Sequence, residues 1–344
     1  MVKILFRCDG GTAPEIGSGH IYRCLSLAKN LVSKNIVKKK EVIFLTRNDE
    51  GYTFGKKILK NSGFNYKLIY IRKFNSKLES EYILKFSPNL VILDRLKTNI
   101  SFIKKLKKKS KIITFDDYGY RKNECDLAIN AIFSDVPKSN NLVRGYKYLI
   151  LNIKKIKVNR SFSKIKNVFV SFGGHDKRNF LNFFLDNLDF FDKKINFKII
   201  INSVSYNKIK KELNEQYKKK IFRNISFFVS PRNYNNIFLN CDLAICSGGL
   251  TLFEACALGV PTIALPQNKH QQKNIKRLLK NKSVMIGTKE FQKDRNYFNF
   301  IARKVIKNKK LRKKLSYNSK KLIDLKGLSR ITNIIKNYLW KKIY

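Results

Sequence analysis

Short apolar runs of strand length alternate with longer amphipathic segments in the first part of the chain. The runs read KILFR, VIFLT, YKLIYI, LVILD, KIITFDD and LAINAIF. Between the first two, Leu25, Leu27, Ala28 and Leu31 are spaced so that they fall on one face of a helix. Continuously apolar strands that are separated by helices are typical of a parallel sheet covered on both faces. The alternation therefore predicts an α/β domain with a doubly wound parallel sheet.

A second alternating series begins after residues 146–166, which read as a polar linker. Its strand-like runs are NVFVSF, FKIII, ISFFVS, LAICS and PTIALP, and the chain beyond about residue 300 has a helical pattern. We predict two Rossmann-like domains, over residues 1–155 and 163–325, followed by a C-terminal helix over 326–344. Doubly wound sheets bind ligands at the carboxyl ends of their strands, so we expect the two domains to face a central cleft.

The formal net charge of +49 comes from 73 basic and 24 acidic residues. Lysine supplies 57 of the basic residues and arginine only 16, although sites that grip phosphate favour arginine. The charge has three interpretations: compositional drift in an AT-rich genome, attraction to an anionic membrane, and nucleic-acid binding. Drift is favoured, and nucleic acid is not expected as a partner, because no recognised nucleic-acid-binding motif accompanies the charge.

The six cysteines have no CxxC spacing, and several lie within apolar runs. We therefore expect small buried thiols rather than a disulfide framework. The first apolar run is interrupted by Arg7 and Asp9 and lacks a signal-peptide pattern, and no run approaches the roughly 18 apolar residues of a membrane span. These features predict a cytoplasmic protein, peripheral at the inner face of the membrane if its lysine-rich segments bind anionic lipid.

The stretch CSGGLTLFEACALGV, residues 246–260, joins a strand to a helix through two glycines. Glycine lets the backbone approach a ligand closely, and the N–H groups at a helix start favour a phosphate. Glu254, one turn into the helix, would suit ribose hydroxyls. The alternative is a tight turn with a capping carboxylate. The nucleotide-sugar contacts expected from this turn are Ser247, Gly248, Gly249, Leu250 and Thr251.

A second glycine turn, SFGGHDKRNF, follows the first strand of the second series and contains Gly173 and Gly174. It lies at the same predicted sheet edge, so we interpret it as a loop that contacts the phosphates or the transferred sugar. An ordinary strand–helix connection is the alternative. Asp176 is expected to be the N-cap of the helix that follows.

The first domain has its own glycine-rich turn, DGGTAPEIGSGH, which includes Gly17 and Gly19 and ends at His20. The turn is neither a GxGxxG fingerprint with its later acidic residue nor a Walker loop, so no nicotinamide cofactor is expected. His20 stands at a predicted helix start, where the dipole favours neutral imidazole, and is therefore a candidate general base. A capping or packing histidine is the alternative.

Carboxylates end two strands of the first series, namely Asp94 in LVILD and Asp116–Asp117 in KIITFDD. They can orient a histidine, bind a sugar hydroxyl or cap the next helix, and the sequence leaves these roles open. His175 and His270 also lie in glycine-rich or sheet-edge settings, but the histidines lack the spacing of zinc ligands. The turns at these sheet edges contain no DxD-type motif, and no metal is expected.

Five segments occur in a recognisable order over nearly the whole chain: IGSGHIYRCLSLAKNL, ITFDDYGYRKNECDLAINAIF, GYKYLILN, VFVSFGGHD and DLAICSGGLTLFEACALGVPTIAL. Together they resemble the UDP-sugar hydrolase of the pseudaminic acid pathway and its relatives among spore-coat-polysaccharide glycosyltransferases. The second half is also similar to the C-terminal domain of family 28 glycosyltransferases, such as the transferase that makes lipid II. The resemblance implies the GT-B fold, which hosts both transfer and hydrolysis.

The resemblance also implies roles for the glycine turns and for His20. His20 matches the catalytic base of the hydrolase relatives, and the glycines before it shape the sugar site. The SGG turn and Glu254 match the groups that hold the UDP diphosphate and ribose, and the FGG loop carries over to Gly173 and Gly174.

Two positions depart from the hydrolase pattern. Leu96 stands where the hydrolase has a tyrosine, and His270 stands where it has an asparagine, with Gln271 retained. The second stretch is closer to family 28, in which a glutamine-rich turn grips the donor sugar, so His270 and Gln271 are expected in the nucleotide-sugar site. We therefore expect a metal-independent UDP-sugar glycosyltransferase of surface-polysaccharide or glycan biosynthesis. The alternatives are a UDP-sugar hydrolase of nonulosonic acid biosynthesis and a cationic binding module without catalytic activity.

Overall fold

The structure is a computed structural model of the 344-residue chain. It describes residues 2–11, 17–70, 76–117, 124–132, 139–153, 160–173, 176–203, 205–207, 209, 224–231 and 235–340. The structural findings concern these residues. Two residues named from the sequence, Gly174 and His175, lie outside them.

The chain divides into two compact units. Unit 1 comprises residues 1–152 together with 325–344, and unit 2 comprises residues 153–324. The C-terminal segment therefore belongs to unit 1, a placement that the sequence pattern did not predict.

The described helices, in chain order, are α1 (Gly19–Ser33), α2 (Phe54–Lys60), α3 (Ser76–Leu84), α4 (Ile100–Lys107), α5 (Phe180–Leu185), α6 (Asn235–Leu239), α7 (Leu250–Ala257), α8 (Lys269–Lys280), α9 (Arg295–Lys307), α10 (Lys309–Leu322) and α11 (Gly327–Trp340). None of them combines the length and the apolar character that crossing a bilayer requires.

A seven-stranded parallel sheet forms the centre of unit 1. Its strands are β1 (Ile4–Cys8), β2 (Val42–Arg47), β3 (Asn65–Ile69), β4 (Leu90–Asp94), β5 (Lys111–Phe115), β6 (Leu127–Asn130) and β7 (Leu142–Arg144). Their spatial order is β3-β2-β1-β4-β5-β6-β7. Every residue of β1 and β4 is buried, as the continuous apolar runs predict for a sheet that is covered on both faces.

Helix α11 completes the core of unit 1. Its Ile331 and Ile335 join Leu27 and Leu31 of α1 in the apolar cluster that covers one face of the sheet. Gly327 permits this return, because a Cβ at that position would lie 2.0 Å from the carbonyl oxygen of Leu149.

A six-stranded parallel sheet forms the centre of unit 2. Its strands are β8 (Asn167–Ser171), β9 (Asn196–Ile201), β10 (Ile225–Val229), β11 (Leu243–Ser247), β12 (Thr262–Leu265) and β13 (Met285–Ile286). Their spatial order is β10-β9-β8-β11-β12-β13. Phenylalanine dominates the core, where Phe184 packs edge-on against Phe197 and Phe183 against Phe298.

Both sheets have the strand order of a doubly wound Rossmann-like fold, which confirms the predicted architecture. In such a sheet the direction of winding reverses between two central strands, and ligands bind beside their carboxyl ends. This switch point lies between β1 and β4 in unit 1 and between β8 and β11 in unit 2.

Candidate functional site

The switch point of unit 1 brings His20 and Asp94 together. Asp94 is the last residue of β4 and lies opposite Cys8, the last residue of β1. Helix α1 follows β1 in the chain and carries His20 as its second residue. The imidazole Nδ1 lies 2.6 Å from Asp94 Oδ1.

The hydrogen bond to Asp94 fixes the state of the imidazole. A carboxylate can only accept hydrogen bonds, so Nδ1 carries the proton and Nε2 of neutral His20 has the lone pair. The Asp94 side chain is completely buried, whereas the His20 side chain is 16% exposed. This is the arrangement of a general base that is oriented by a carboxylate.

Arg23 lies one turn after His20 on α1 and holds Asp94 from the other side. Its Nε donates to Asp94 Oδ2 at 2.8 Å and its Nη2 donates to Asp94 Oδ1 at 2.6 Å. Its Nη1 donates to Asp116 Oδ2 at 2.5 Å. We call the set His20, Arg23, Asp94 and Asp116 the histidine cluster.

The charges of the histidine cluster keep Asp94 ionised. Burial alone would raise the pKa of Asp94, but Arg23 and His20 outweigh burial and hold that pKa well below its usual range. The neighbouring Cys24 thiol, whose Sγ lies 3.5 Å from Asp94 Oδ2, remains neutral because burial raises its pKa.

The strand-end carboxylates have different roles. Asp94 orients the histidine, which is one of the roles left open by the sequence. Asp116 binds Arg23 and also accepts a 2.8 Å hydrogen bond from the Ile132 N–H. Asp117 accepts hydrogen bonds from the Thr98 N–H at 3.1 Å and from the Thr98 hydroxyl, so it fixes the turn that leads into α4.

The two predicted glycines before His20 lie beside the histidine cluster in the chain. Gly19 is the first residue of α1. Gly17 is exposed, and its carbonyl oxygen accepts a 3.4 Å hydrogen bond from the Gly11 N–H. The link brings the two ends of the glycine-rich turn together.

A second buried ionic cluster lies along β1 and its neighbours. Arg7 Nη1 is 2.5 Å from Asp9 Oδ1, Arg7 Nε is 2.5 Å from Glu79 Oε1, and Arg95 Nη2 is 3.2 Å from Glu79 Oε2. Burial opposes ionisation of Asp9 and Glu79, but Arg7 outweighs it and lowers the pKa of both carboxyls. Removing one member of such a buried set typically costs about 3–5 kcal/mol, which indicates a structural role.

At the switch point of unit 2, helix α7 starts without a side-chain cap. Ser247 ends β11, and Gly249 is the N-cap of α7 with no side chain bonded to the first turn. Leu250 and Thr251 are partly exposed. Uncapped N–H groups and the dipole at a helix start attract anions. We call the residues from Ser247 to Thr251 the glycine turn.

Gln271 of α8 holds the glycine turn in place. Its Oε1 accepts hydrogen bonds from the Gly248 N–H at 3.1 Å and from the Gln267 N–H at 2.9 Å. Only glycine fits at 248, because a Cβ there would lie 2.8 Å from Gln271 Cβ. The predicted sugar-binding role of Gln271 therefore falls to its amide nitrogen, since its oxygen already serves the backbone.

The loop after β8 reaches the same edge of the sheet. Gly173 has a φ of +84°, and a Cβ there would lie 3.8 Å from Ser247 Oγ. The prediction that Asp176 is the N-cap of α5 is wrong, because Asn179 occupies that position. Its carboxylate nevertheless accepts from the Leu181 N–H at 2.7 Å and from Gln267 Nε2 at 2.6 Å.

Two other predicted contacts of unit 2 are Glu254 on α7 and His270 on α8. Glu254 is only 4% exposed, and Leu252, Ala255 and Cys256 of the same helix are fully buried. His270 is exposed on the first turn of α8, next to Gln271.

Sequence reasoning missed Arg23, Gln267 and Arg178. Arg178 donates from Nε to the Gln267 carbonyl at 3.0 Å and lies 4.3 Å from the centre of the Phe291 ring. A signal existed for Arg23, which is three residues after His20 and therefore on the same helix face. Gln267 lies two residues after the end of β12, at the same kind of sheet edge as Asp94, but the prediction for the glutamine-rich turn named Gln271 instead.

The six cysteines are buried free thiols, as the sequence predicts. The burial of Cys256 raises its pKa to about 12. The thiols thus behave as small apolar side chains.

Similarity to known families covers the glycine turn. Residues 167–322 match the family model described as the glycosyltransferase family 28 C-terminal domain. A spore coat polysaccharide biosynthesis protein of Bacillus subtilis, SpsG, is 22% identical and aligns over 97% of this chain and 98% of its own length. The uncharacterized protein MJ1062 of Methanocaldococcus jannaschii is 32% identical over 79% of this chain, which spans 57% of the length of that relative.

Solved structures of other proteins share the fold at low identity. MurG of Acinetobacter baumannii has a TM-score of 0.68 and 14% identity, over 98% of this chain and 100% of MurG. Anabaena HepE, solved with UDP and glucose, has a TM-score of 0.61 and 11% identity, over 98% of this chain and 100% of HepE. The predicted GT-B fold is thereby confirmed, and residues 167–322 are similar to the family 28 C-terminal domain.

Proposed function

We propose that this chain is a metal-independent UDP-sugar glycosyltransferase of surface-polysaccharide or glycan biosynthesis. The observation that carries the proposal is the uncapped start of α7 at the switch point of unit 2, within the segment that matches the family 28 domain. The spore-coat relative and the UDP-bound Anabaena structure support the polysaccharide context and the nucleotide.

The glycine turn is proposed to bind the diphosphate. When the glycosidic C–O bond breaks, negative charge develops on the leaving UDP. Backbone N–H groups of the α7 start would stabilise that charge without reorganising. Ser247 and Thr251 would add hydroxyl donors, and Glu254 would accept from the ribose. Gly173, Gly174, His270 and the Gln271 amide nitrogen would contact the diphosphate or the transferred sugar.

His20 is proposed to be the general base. Its Nε2 would take the proton of an acceptor hydroxyl as that oxygen forms its bond to the anomeric carbon. The donor's C–O bond breaks in the same step, and its electron pair leaves with UDP. Asp94 would hold the imidazole in the required tautomer and stabilise the imidazolium that forms, as the 2.6 Å hydrogen bond allows.

Hydrolysis is a second candidate, because an imidazole with this orientation can activate water as readily as a sugar hydroxyl. In that case UDP and a free sugar would be released, as in the nonulosonic acid type of hydrolase that the GSGH segment resembles.

A release assay tests both candidates. Purified protein is first titrated with UDP by calorimetry and then incubated with UDP-sugars, with and without candidate acceptor glycans. Binding of UDP with release that depends on the acceptor supports transfer, whereas stoichiometric release without an acceptor supports hydrolysis. Failure to bind UDP would overturn both.

The proposed location is the cytoplasm, with contact to the anionic inner face of the membrane through α9 and α10. From Arg295 to Leu322 the sequence has no acidic residue, and Phe300 and Tyr317 are 61% and 68% exposed. Such a surface favours anionic lipid. Sedimentation with phosphatidylglycerol vesicles, but not with phosphatidylcholine vesicles, would support contact with an anionic membrane. Failure to sediment with either kind of vesicle would contradict it.

A further inference from the structure

We propose that Arg23 is a positioning residue that sets the basicity of His20 by sharing the charge of Asp94. The inference rests on the proposed role of His20 as a base. Nothing in the resemblance to known families assigns a role to Arg23.

The guanidinium of Arg23 and the carboxylate of Asp94 form a bidentate ion pair. Two nitrogens of Arg23 bind the two oxygens of Asp94 in parallel, at 2.8 and 2.6 Å. A bidentate contact fixes the plane of the carboxylate, which a lysine ammonium cannot do. Because Asp94 Oδ1 also accepts from His20 Nδ1, the plane of the carboxylate fixes the direction of the imidazole.

Arg23 also changes the net charge of the histidine cluster. With His20 neutral, the carboxylates of Asp94 and Asp116 and the guanidinium of Arg23 sum to −1. Uptake of one proton at His20 brings the histidine cluster to zero. Without Arg23 the count would begin at −2, and the imidazole would hold its proton more tightly. Arg23 therefore keeps the base available while Asp94 orients it.

Two uncharged groups of the described residues contact Asp94 and Arg23. From α1 the other group on Asp94 is the Cys24 thiol, which also contacts the Cys8 thiol of β1. From β5 the Phe115 ring lies 5.2 Å from the Arg23 guanidinium. Asp116 is thus the second carboxylate that Arg23 serves.

Histidine NMR tests the proposal without catalysis. The chain has three histidines, so H175Q and H270Q assign the His20 signals. We expect the neutral wild-type imidazole to be protonated at Nδ1. We expect R23M to move the midpoint of the His20 titration up by about one pH unit, and R23K to move it by less than about a third of that, because the charge is kept.

Asp116→Asn supplies a test of opposite sign, and it remains informative if R23M does not fold. Removing one negative charge should lower the His20 midpoint, in contrast to R23M. Midpoints that stay at the wild-type value in R23K, R23M and D116N alike would overturn the proposal, as would shifts of the same sign in R23M and D116N.

The pH dependence of UDP release gives a second readout. In R23M the acid limb of kcat/KM should move to higher pH together with the NMR midpoint, whereas R23K should lower kcat without moving the limb. A purely structural Arg23 would lower activity in both variants at all pH values and leave the limb in place. If H20Q is as active as the wild type, the proposed base is wrong, whereas the NMR midpoints still decide the role of Arg23.

Discussion

The two switch points of this molecule have the same strand order and opposite chemistry. In unit 1 the histidine cluster links an imidazole, a guanidinium and two carboxylates through a chain of hydrogen bonds. In unit 2 the glycine turn is held by the neutral amide of Gln271, and its helix start has no side-chain cap. The proposed roles of the two edges, moving a proton in unit 1 and receiving an anion in unit 2, follow this difference.

The difference follows from what each chemistry requires. The proposed base needs a fixed carboxylate behind it and a counter-charge that keeps it from staying protonated, and Asp94 and Arg23 are placed to supply these. A carboxylate beside the glycine turn would repel a diphosphate, whereas N–H dipoles attract it. In the loop after β8, the carboxylate of Asp176 is bound to the Leu181 N–H and to Gln267.

The largest effect is expected for His20→Gln. Glutamine can still donate to Asp94 but cannot accept a proton at neutral pH, so turnover should fall by about 10²- to 10⁴-fold. Since the change lies in unit 1, the UDP affinity of unit 2 should stay within about twofold. Calorimetry with UDP and the release assay measure the two quantities. If turnover and UDP affinity fall by the same factor, His20 has a structural role, and catalysis and nucleotide binding are not separated between the two units.

The glycine turn offers a matched pair of variants for the other half of the comparison. At Gly249 a Cβ would meet only Gln271 Nε2, at 4.0 Å, and the backbone φ is −85°. Gly249→Ala should therefore fold normally, yet its methyl would keep a phosphate away from the backbone and weaken UDP binding about tenfold or more.

Gly248→Ala is the control for that prediction. Its Cβ would collide with Gln271, so this variant should lose stability as well as affinity. Melting temperature and calorimetry separate the two variants. An unchanged UDP affinity in Gly249→Ala would mean that the diphosphate does not bind at the start of α7.

The two units should differ in their stability towards acid, because of their buried charges. The pKa values of Asp9, Glu79 and Asp94 are lowered, and all three carboxyls lie in unit 1. A lowered folded pKa gives stability that is present above the unfolded value of about 4 and is lost as the pH falls below it. On acidification, unit 1 should therefore unfold at a higher pH than unit 2.

Brief pepsin digestion at a series of acid pH values, with mass spectrometry, detects this order. Cleavage within β1, β4 and β5 should begin at a higher pH than cleavage within β8, β11 and β12. Simultaneous cleavage, or earlier cleavage of unit 2, would show that the buried ionic clusters do not set acid stability.

The contrast between the glycine turn and the histidine cluster also explains which features the sequence could predict. The apolar runs predicted the central strands, because strands buried on both faces leave a continuous apolar signal. They did not predict β7, whose three residues are only partly buried, or the two-residue β13. The glycine turn was also predictable, because its chemistry is local and its residues are adjacent in the chain.

The histidine cluster was predictable only in part. His20 has a local signal, in the glycines before it and the helix after it. The partners of Arg23 lie 71 and 93 residues away, and no local pattern pairs them. The same holds for α11, whose return to unit 1 depends on packing against α1 and on the approach of Gly327 to Leu149. Contacts between distant segments are set by the topology, which a single sequence reveals only as strand and helix periods.

The smallest effect is expected from chelation of metal ions. If the dipole and N–H groups of α7 carry the leaving diphosphate, EDTA should change the rate of UDP release by less than about twofold, and added Mg²⁺ or Mn²⁺ should have equally little effect. The assay is run on protein that has been dialysed against chelator, with Gly249→Ala in parallel. If EDTA lowers the rate at least about tenfold and Mg²⁺ restores it, a cation neutralises the diphosphate, and the contrast between a charged and a neutral switch point fails for unit 2. If metal rescues only Gly249→Ala, the cation replaces the N–H groups that the methyl has blocked, which would support their assigned role.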